Sequence, residues 1–193
     1  GKPVRGYLEE DGVAKDSKTE TFVALQVHVD TWRWEGVPIF IRTGKGLGRK
    51  VSEVAITFKQ PPLQVFKGQA TDGGQNQLVL HIQPEEGFTF HINAKIPGYT
   101  TRVRPVNMDF AYGDAFGEAT PEAYERLILD ALVGDSTLYT RRDEIEASWS
   151  FITRILQGWA LDPNPLPQYK AGSAGPDEAK ALTASINQKW RKL

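Results

Sequence analysis

Cysteine is absent from the chain. Disulfide bonds and thiolate metal sites are therefore excluded, which suits a protein of the reducing cytoplasm. No apolar run approaches the roughly 20 residues that a transmembrane helix needs. The first residues also contain no apolar segment of the signal-peptide type. These absences lead us to expect a cytoplasmic protein that does not enter a membrane.

A charge excess of either sign is also missing. The 23 Lys and Arg residues nearly balance the 24 Asp and Glu residues, and the formal net charge is −1 at pH 7. Nucleic acid is not an expected partner, because domains that bind it usually carry a clear basic excess. Any anion that this chain binds must be attracted by a local cluster of cations.

The chain length allows one domain with its own hydrophobic core, and we predict a single domain over residues 1–193. Residues 1–20 are polar and irregular, residues 21–119 read mainly as strands, and residues 120–193 read mainly as helices with an extended tail. The strand segments alternate apolar and polar residues, as Val23, Leu25 and Val27 do. Short polar connections between such segments favour antiparallel pairing.

Helical patterns follow the strands. Thr120 and Pro121 predict a helix start, and Gly134 predicts its end. A second helix is expected from about Asp143, and a third, shorter one after Pro176. Strands first and helices afterwards indicate an α+β fold, with a largely antiparallel sheet and helices packed on one face.

The densest cationic cluster is the stretch IFIRTGKGLGRK, residues 39–50, which lies between two predicted strands. It is not a P-loop, because Gly46 follows Lys45 where Ser or Thr is required. It is not a dinucleotide fingerprint either, since the glycines are spaced G-x-G-x-G and no helix follows. One interpretation is an anion-binding loop whose glycines let the backbone approach a ligand. The other is a solvated hairpin tip whose lysines prevent edge pairing.

The remaining polar and aromatic candidates favour structural roles. His28, His81 and His91 each lie on the polar side of a predicted strand, and none has a carboxylate at a spacing that predicts an orienting pair. No zinc-ligand spacing, calcium loop or nucleophile elbow occurs, so we predict no metal site and no general base in this chain. Trp32 and Trp34 are predicted on one side of an extended segment. They could stack on a sugar there, or pack across the sheet.

Three stretches together resemble the glucose-6-phosphate dehydrogenase family, in a bacterial-type version. They are RGYLEEDGVAKDSKTETFVALQVHVDTWRWEGVPIFIRTGKGL (residues 5–47), PEAYERLILDALVGDSTLYTRRDEIEASW (121–149) and PLPQYKAGSAGPDEA (165–179). The likeness covers essentially the whole chain but only the last two-fifths or so of a family member. It implies the carboxy-terminal part of the substrate and dimerisation domain, without the Rossmann domain.

The resemblance also implies an activity for the complete enzyme. Family members oxidise D-glucose 6-phosphate at C1 to 6-phosphogluconolactone with NADP, in the pentose phosphate pathway. The general base and most of the NADP site would lie in the missing amino-terminal part, so the isolated chain is expected to be inactive. The implied substrate-binding positions are Lys45, Lys50 and Gln83, and the implied assembly is a homo-oligomer formed through the sheet.

A second, structural NADP is bound by some mammalian-type members of the family. Arg42 matches one of the arginines that touch it. Val51, His81 and His91 stand where other basic contacts would be, and these departures argue against such a site. Ala174 is a further departure, since many members carry Trp there.

Two other functions are open on sequence grounds. A catalytically silent dimerisation module would carry the lysines without using them. A carbohydrate-binding domain would use Trp32 and Trp34, and would bind unphosphorylated glucose as well as the phosphorylated sugar.

Overall fold

A computed structural model describes residues 5–63, 74–99, 102–117 and 123–192. The chain forms two compact units, one of residues 1–117 with 167–193 and one of residues 118–166. The first unit is therefore built from two separate stretches of the sequence. The single domain expected over residues 1–193 stays a prediction, since two units can belong to one domain.

The first unit contains all the described strands. Their bounds are β1 Phe22–Val27, β2 Ile39–Gly44, β3 Ser52–Thr57, β4 Gln77–Gln83, β5 Gly87–Lys95 and β6 Val103–Ala111. β1 and β2 form a two-stranded antiparallel sheet, and β3 to β6 form a four-stranded antiparallel sheet in chain order. The predicted α+β class with a largely antiparallel sheet is confirmed.

β2 and β3 belong to different sheets, although they are consecutive along the chain. The interpretation of residues 45–51 as a hairpin tip was therefore wrong, because the two flanking strands do not pair. Alternation within each strand predicts a strand but carries no information on which other strand it joins. Residues 45–51 instead connect the two sheets.

The four-stranded sheet has one apolar and one polar face, as its period-2 sequences require. Strand register aligns side chains across the strands, and the rows of the apolar face are Val54, Leu80, Phe88, Phe110 and Ile56, Leu78, Phe90, Met108. An aromatic row continues along this face through Phe88, Phe110, Tyr112 and Phe116, with centroid separations of 5.4, 5.1 and 5.7 Å. The polar face carries Glu53, His81, Thr89 and His91, around the fully buried Val79.

Three short helical segments complete the first unit. A 3₁₀ turn spans Tyr7–Glu9, α1 spans Tyr112–Phe116 and α4 spans Ala179–Ala184. α1 contacts β6 and ends at Gly117, which has a left-handed φ of 67°, and α4 contacts β1. The sequence pattern predicted α4 but not α1, because α1 is too short to show a helical period.

The second unit consists of α2, Ala123–Val133, and α3, Arg142–Ala160. The Glu144 carboxylate accepts a hydrogen bond from the Arg141 backbone N–H, a local contact that fixes the start of α3. After α2, Gly134 takes a left-handed φ of 76°, as predicted for its end. The Thr120 and Pro121 start signals lie outside the described residues.

The turn between α2 and α3 is held by side chains. Tyr139 donates its hydroxyl to the Leu127 carbonyl at 2.5 Å, and Asp135 accepts from the hydroxyl and backbone N–H of Thr137. These hydrogen bonds, that of the hydroxyl first, lower the pKa of Asp135 from its ordinary value. The connection is therefore defined by residues immediately next to it.

Substitution of Gly87, at the start of β5, tests the register between β5 and β6. A Cβ built at Gly87 would lie 2.2 Å from the Phe110 carbonyl oxygen on β6. Gly87→Ala is expected to destabilise the fold by about 1–3 kcal/mol, because backbone atoms on the neighbouring strand must move. Urea unfolding monitored by circular dichroism measures the change. Gly113→Ala is the control, since its Cβ meets no atom within 4 Å, and equal unfolding midpoints for the two variants would contradict the register.

Candidate functional site

The cationic loop, defined here as residues 45–51, is fastened by the extended tail that follows the second unit. Gly172 donates its backbone N–H to the Gly46 carbonyl at 2.7 Å, and Gly48 donates to the Ser173 carbonyl at 2.9 Å. The Tyr169 hydroxyl lies 2.9 Å from each of the carbonyl oxygens of Thr21 and Lys45. The loop is therefore held on its backbone side by residues more than a hundred positions away in sequence.

Gly44, the last residue of β2, and Gly48 in the loop both lie close to other parts of the chain. A Cβ at Gly44 would lie 2.7 Å from the Phe22 ring, and one at Gly48 would lie 3.0 Å from the Gly172 carbonyl oxygen. Gly46 has a left-handed φ of 60°, a conformation that side-chain-bearing residues rarely adopt. The sequence interpretation assigned these glycines to the approach of a ligand, whereas at Gly44 and Gly48 the close approach is to the chain itself.

The cationic side chains of the loop point to solvent. Lys45, Arg49 and Lys50 are exposed. Within the ranges that the structure describes, no carboxylate forms an ion pair with any of them. A loop backbone held by hydrogen bonds that presents exposed cations is suited to binding an anionic ligand.

The register between β3 and β4 places Gln83 near the end of the cationic loop. Ser52 at the start of β3 pairs with Gln83 at the end of β4, and Lys50 is two residues before Ser52. The side chain of Gln83 is exposed, as is that of Lys50. A shared role for Lys45, Lys50 and Gln83 in one site stays a prediction.

Arg42 on β2 is engaged inside the chain. Its guanidinium carbon lies 5.1 Å from the centroid of the Trp190 ring, and it donates a hydrogen bond to the Arg191 carbonyl. Burial lowers the pKa of Arg42 from its ordinary value, and the nearby Glu53 carboxylate partly offsets this effect. Sequence reasoning missed Trp190 and Arg191, because nothing in a linear pattern connects two positions so far apart.

The histidines make contacts within and across strands. His28 lies 3.1 Å from the Gln26 amide nitrogen, and His81 lies 3.1 Å from the Thr89 hydroxyl. His91 lies 2.8 Å from the Asn107 side-chain oxygen. His81 and His91 thus have the neighbours expected of side chains on a strand surface. His28 lies one residue past the end of β1, outside the strand in which it was predicted.

A carboxylate near His81 was not foreseen. Register across β3 and β4 places the Glu53 carboxylate 4.0 Å from His81, which is too long for a hydrogen bond. Glu53 is instead paired with Arg191, whose Nε lies 2.8 Å from the other carboxylate oxygen. Local spacing could not have revealed this neighbour, because it lies on another strand. The pair does not orient His81 for proton transfer.

The interpretation of Trp32 and Trp34 as neighbours on an extended segment was wrong. Residues 31–36 form a turn in which Thr31 accepts hydrogen bonds from the backbone of Trp34 and Glu35. Trp32 is fully exposed, whereas Trp34 is 40% exposed. In a turn of this kind, residues two apart do not face the same side.

The described residues offer neither a clustered metal site nor a membrane-spanning helix. No group of three or more potential metal ligands occurs among them. None of the helices they form combines the length and the apolar character needed to cross a membrane.

The structure defines an α+β fold that presents exposed cations on a backbone held by hydrogen bonds. Comparison with known proteins identifies its family. The model of the family described as "Glucose-6-phosphate dehydrogenase, C-terminal domain" matches residues 1–191. The chain therefore belongs to the glucose-6-phosphate dehydrogenase family.

Individual relatives agree with this assignment. Glucose-6-phosphate 1-dehydrogenase 2 of Mycobacterium tuberculosis is 45% identical over 193 residues, which are 100% of this chain and 37% of the relative. The crystal structure of glucose-6-phosphate 1-dehydrogenase from Mycobacterium avium matches with a TM-score of 0.82 and 37% identity, over 98% of this chain and 39% of that one. A glucose-6-phosphate dehydrogenase in complex with its substrate glucose 6-phosphate matches with a TM-score of 0.82 and 35% identity, over 96% and 38%. The chain thus spans well under half the length of these relatives.

Tyr169 tests the fastening of the loop by the tail. Tyr169→Phe is expected to lower the free energy of unfolding by about 0.5–1.5 kcal/mol, because the hydroxyl contacts to two backbone carbonyls are lost. Urea unfolding measures the change. Tyr124→Phe on α2 is the matched control, since Tyr124 is largely exposed and is expected to change little. Equal stability of the two variants would show that the tail does not hold the loop through this hydroxyl.

Proposed function

We propose that the complete protein oxidises D-glucose 6-phosphate at C1 to 6-phosphogluconolactone, with NADP as the hydride acceptor, in the cytoplasm and in the pentose phosphate pathway. This chain is the carboxy-terminal part of that enzyme. The observation that carries the proposal is the match to the family's C-terminal domain over residues 1–191. The general base and most of the NADP-binding surface belong to the part of the enzyme outside this chain.

In this proposal the cationic loop binds the anionic end of the substrate. Lys45 and Lys50 donate to phosphate oxygens, and Gln83 donates to or accepts from the sugar. The support is the exposure of both lysines on a backbone that the tail fixes. A loop whose backbone is already held loses less conformational freedom when the substrate binds than a free loop would.

The binding free energy that two lysine contacts can supply limits how much the loop contributes to substrate affinity. Two charge-assisted hydrogen bonds contribute roughly 3–6 kcal/mol before ordering costs. Once the cost of ordering the loop side chains and the ligand is subtracted, about 4 kcal/mol or less remains, which corresponds to millimolar affinity at best. The loop orients and holds the substrate, and other residues of the complete enzyme supply the remaining affinity and the chemistry.

Substitution of single loop cations in the complete enzyme tests the proposed contacts. Lys45→Gln and Lys50→Gln are each expected to raise KM for glucose 6-phosphate by about 10- to 100-fold, the loss of one charge-assisted bond. Arg49→Gln is the matched control, because it removes an exposed charge from the same loop at a position without a proposed contact. NADPH formation monitored by absorbance measures the rates, and the isolated chain is expected to form none.

Two outcomes of this assay contradict specific parts of the proposal. If all three substitutions raise KM equally, the loop acts by general electrostatic attraction and the two lysines have no specific contact. If none of them changes KM, the loop is a solvated charge cluster. NADPH formation by the isolated chain would contradict the placement of the base outside it.

The carbohydrate-binding alternative depends on Trp32. This side chain is fully exposed, so it is available for stacking, but Trp34 does not form a continuous platform with it. Phosphate-independent binding of glucose, abolished by Trp32→Ala and unaffected by Lys45→Gln, would favour this alternative.

We also propose that the complete enzyme is a homo-oligomer formed through the apolar face of the four-stranded sheet. Much of this face is exposed, including Val54, Ile82, Phe88 and Met108. In the described part of the chain, the buried apolar side chains are only Val79 and Val103. A second copy of the same face is the proposed occupant, because one contact about a two-fold axis would cover the exposed apolar rows of both copies.

Met108 tests this assembly. Met108→Glu in the complete enzyme is expected to raise the dimer dissociation constant by at least about 10-fold, because a charge would be buried at the centre of the interface. Light scattering across a concentration series measures dissociation, and Met108→Leu is the control that keeps the apolar surface. If Met108→Glu remains as dimeric as the parent enzyme, the face is covered by the rest of the enzyme's own chain. A monomeric parent enzyme would also contradict the proposal.

A further inference from the structure

The last described residues, 188–192, lie against both sheets of the first unit; they are called the C-terminal segment here. Trp190 is fixed on two sides, because its Nε1 donates to the Ala179 carbonyl at 2.7 Å and its ring meets the Phe40 ring edge-on at 6.1 Å. Gln188 donates to the Gln75 side chain at 2.6 Å. The segment is therefore attached at several separate points.

Arg42 and Arg191 connect the segment to the two sheets in a reciprocal way. Arg42 on β2 stacks on Trp190 and donates to the Arg191 carbonyl. Arg191 in turn forms an ion pair with Glu53 on β3, at 2.8 Å. Each guanidinium is thus engaged by a partner within the chain, and each sheet contributes one of these contacts.

The intramolecular contacts of these residues determine whether a second, structural NADP could bind beside them. Its phosphate groups would need unpaired cations, but Arg42 and Arg191 are engaged and the partly buried Glu53 carboxylate would repel an anion. His81 and His91 are held by Thr89 and Asn107, and Val51 offers no charge. These residues do not fit the structural NADP that the match of Arg42 implies.

We infer that the C-terminal segment is an intramolecular clamp that takes the place of a structural nucleotide. Trp190 lies against Arg42, Arg191 forms an ion pair with Glu53, and the two sheets are joined without a ligand. Two features support this. The contacts use the arginine that would otherwise bind the nucleotide, and they connect β2 and β3, which share no strand pairing. The inference concerns stability and does not depend on the proposed reaction.

Hydrogen exchange measured by mass spectrometry on the complete enzyme tests the clamp. Arg42→Gln and Trp190→Leu are each expected to accelerate amide exchange in peptides covering residues 186–192 by roughly 5- to 30-fold. Each substitution removes the cation–π contact together with the other contacts of the replaced side chain. Arg49→Gln is the matched control, an arginine in the neighbouring loop with no contact to the segment, and it is expected to leave exchange unchanged. Arg42 and Trp190 act through one shared contact. The double variant Arg42→Gln with Trp190→Leu is therefore expected to accelerate exchange by clearly less than the product of the two single accelerations.

NADP is the second probe. Adding it is expected to leave exchange in residues 186–192 unchanged in the parent enzyme and in Arg42→Gln. The inference is overturned if NADP slows exchange there in the parent enzyme and Arg42→Gln abolishes that protection, because Arg42 would then hold a nucleotide. It is also overturned if neither Arg42→Gln nor Trp190→Leu changes exchange in the segment. Because neither readout is an activity, failure here leaves the proposed reaction untouched.

Discussion

The first unit depends on contacts between its early strands and its late tail. β2 and β3 belong to separate sheets, so strand pairing does not fix the loop between them. The tail supplies the missing constraint through backbone hydrogen bonds at Gly46 and Gly48 and through the hydroxyl of Tyr169. Because these contacts use only backbone atoms of the loop, its cationic side chains stay available to solvent.

Elements with a local period were predictable from the sequence. The alternation of Val23, Leu25 and Val27 located β1, and the helix expected from about Asp143 corresponds to α3, since both patterns depend on neighbours within one element. Gly134 marked the end of α2 through its own backbone preference. Periodicity could not indicate a function. The family resemblance, carried by stretches that include residues of the loop and of α2, supplied the family and the implied substrate-binding positions.

Contacts between distant elements were not predictable. Glu53 lies beside His81 because of the register between β3 and β4, and Arg42 meets Arg191 at a sequence separation of 149 residues. The sheet membership of β2 was missed for the same reason, since alternation shows a strand but not its partner. The turn that carries Trp32 was misread as extended because two aromatic residues at a spacing of two imitate a strand. In each case the deciding information lies in another part of the chain.

The division of the first unit into two sequence stretches has a consequence for biosynthesis. Residues 1–117 emerge from the ribosome before residues 118–166, and the tail that completes their structure emerges only afterwards. Closing so long a connection costs chain entropy that local contacts cannot repay early. The contacts that hold the cationic loop and link β2 to β3 can therefore form only after residues 169–191 have been translated, and the apolar face of the four-stranded sheet stays exposed throughout this interval. Over this interval, binding of the nascent chain by a chaperone would protect it from aggregation.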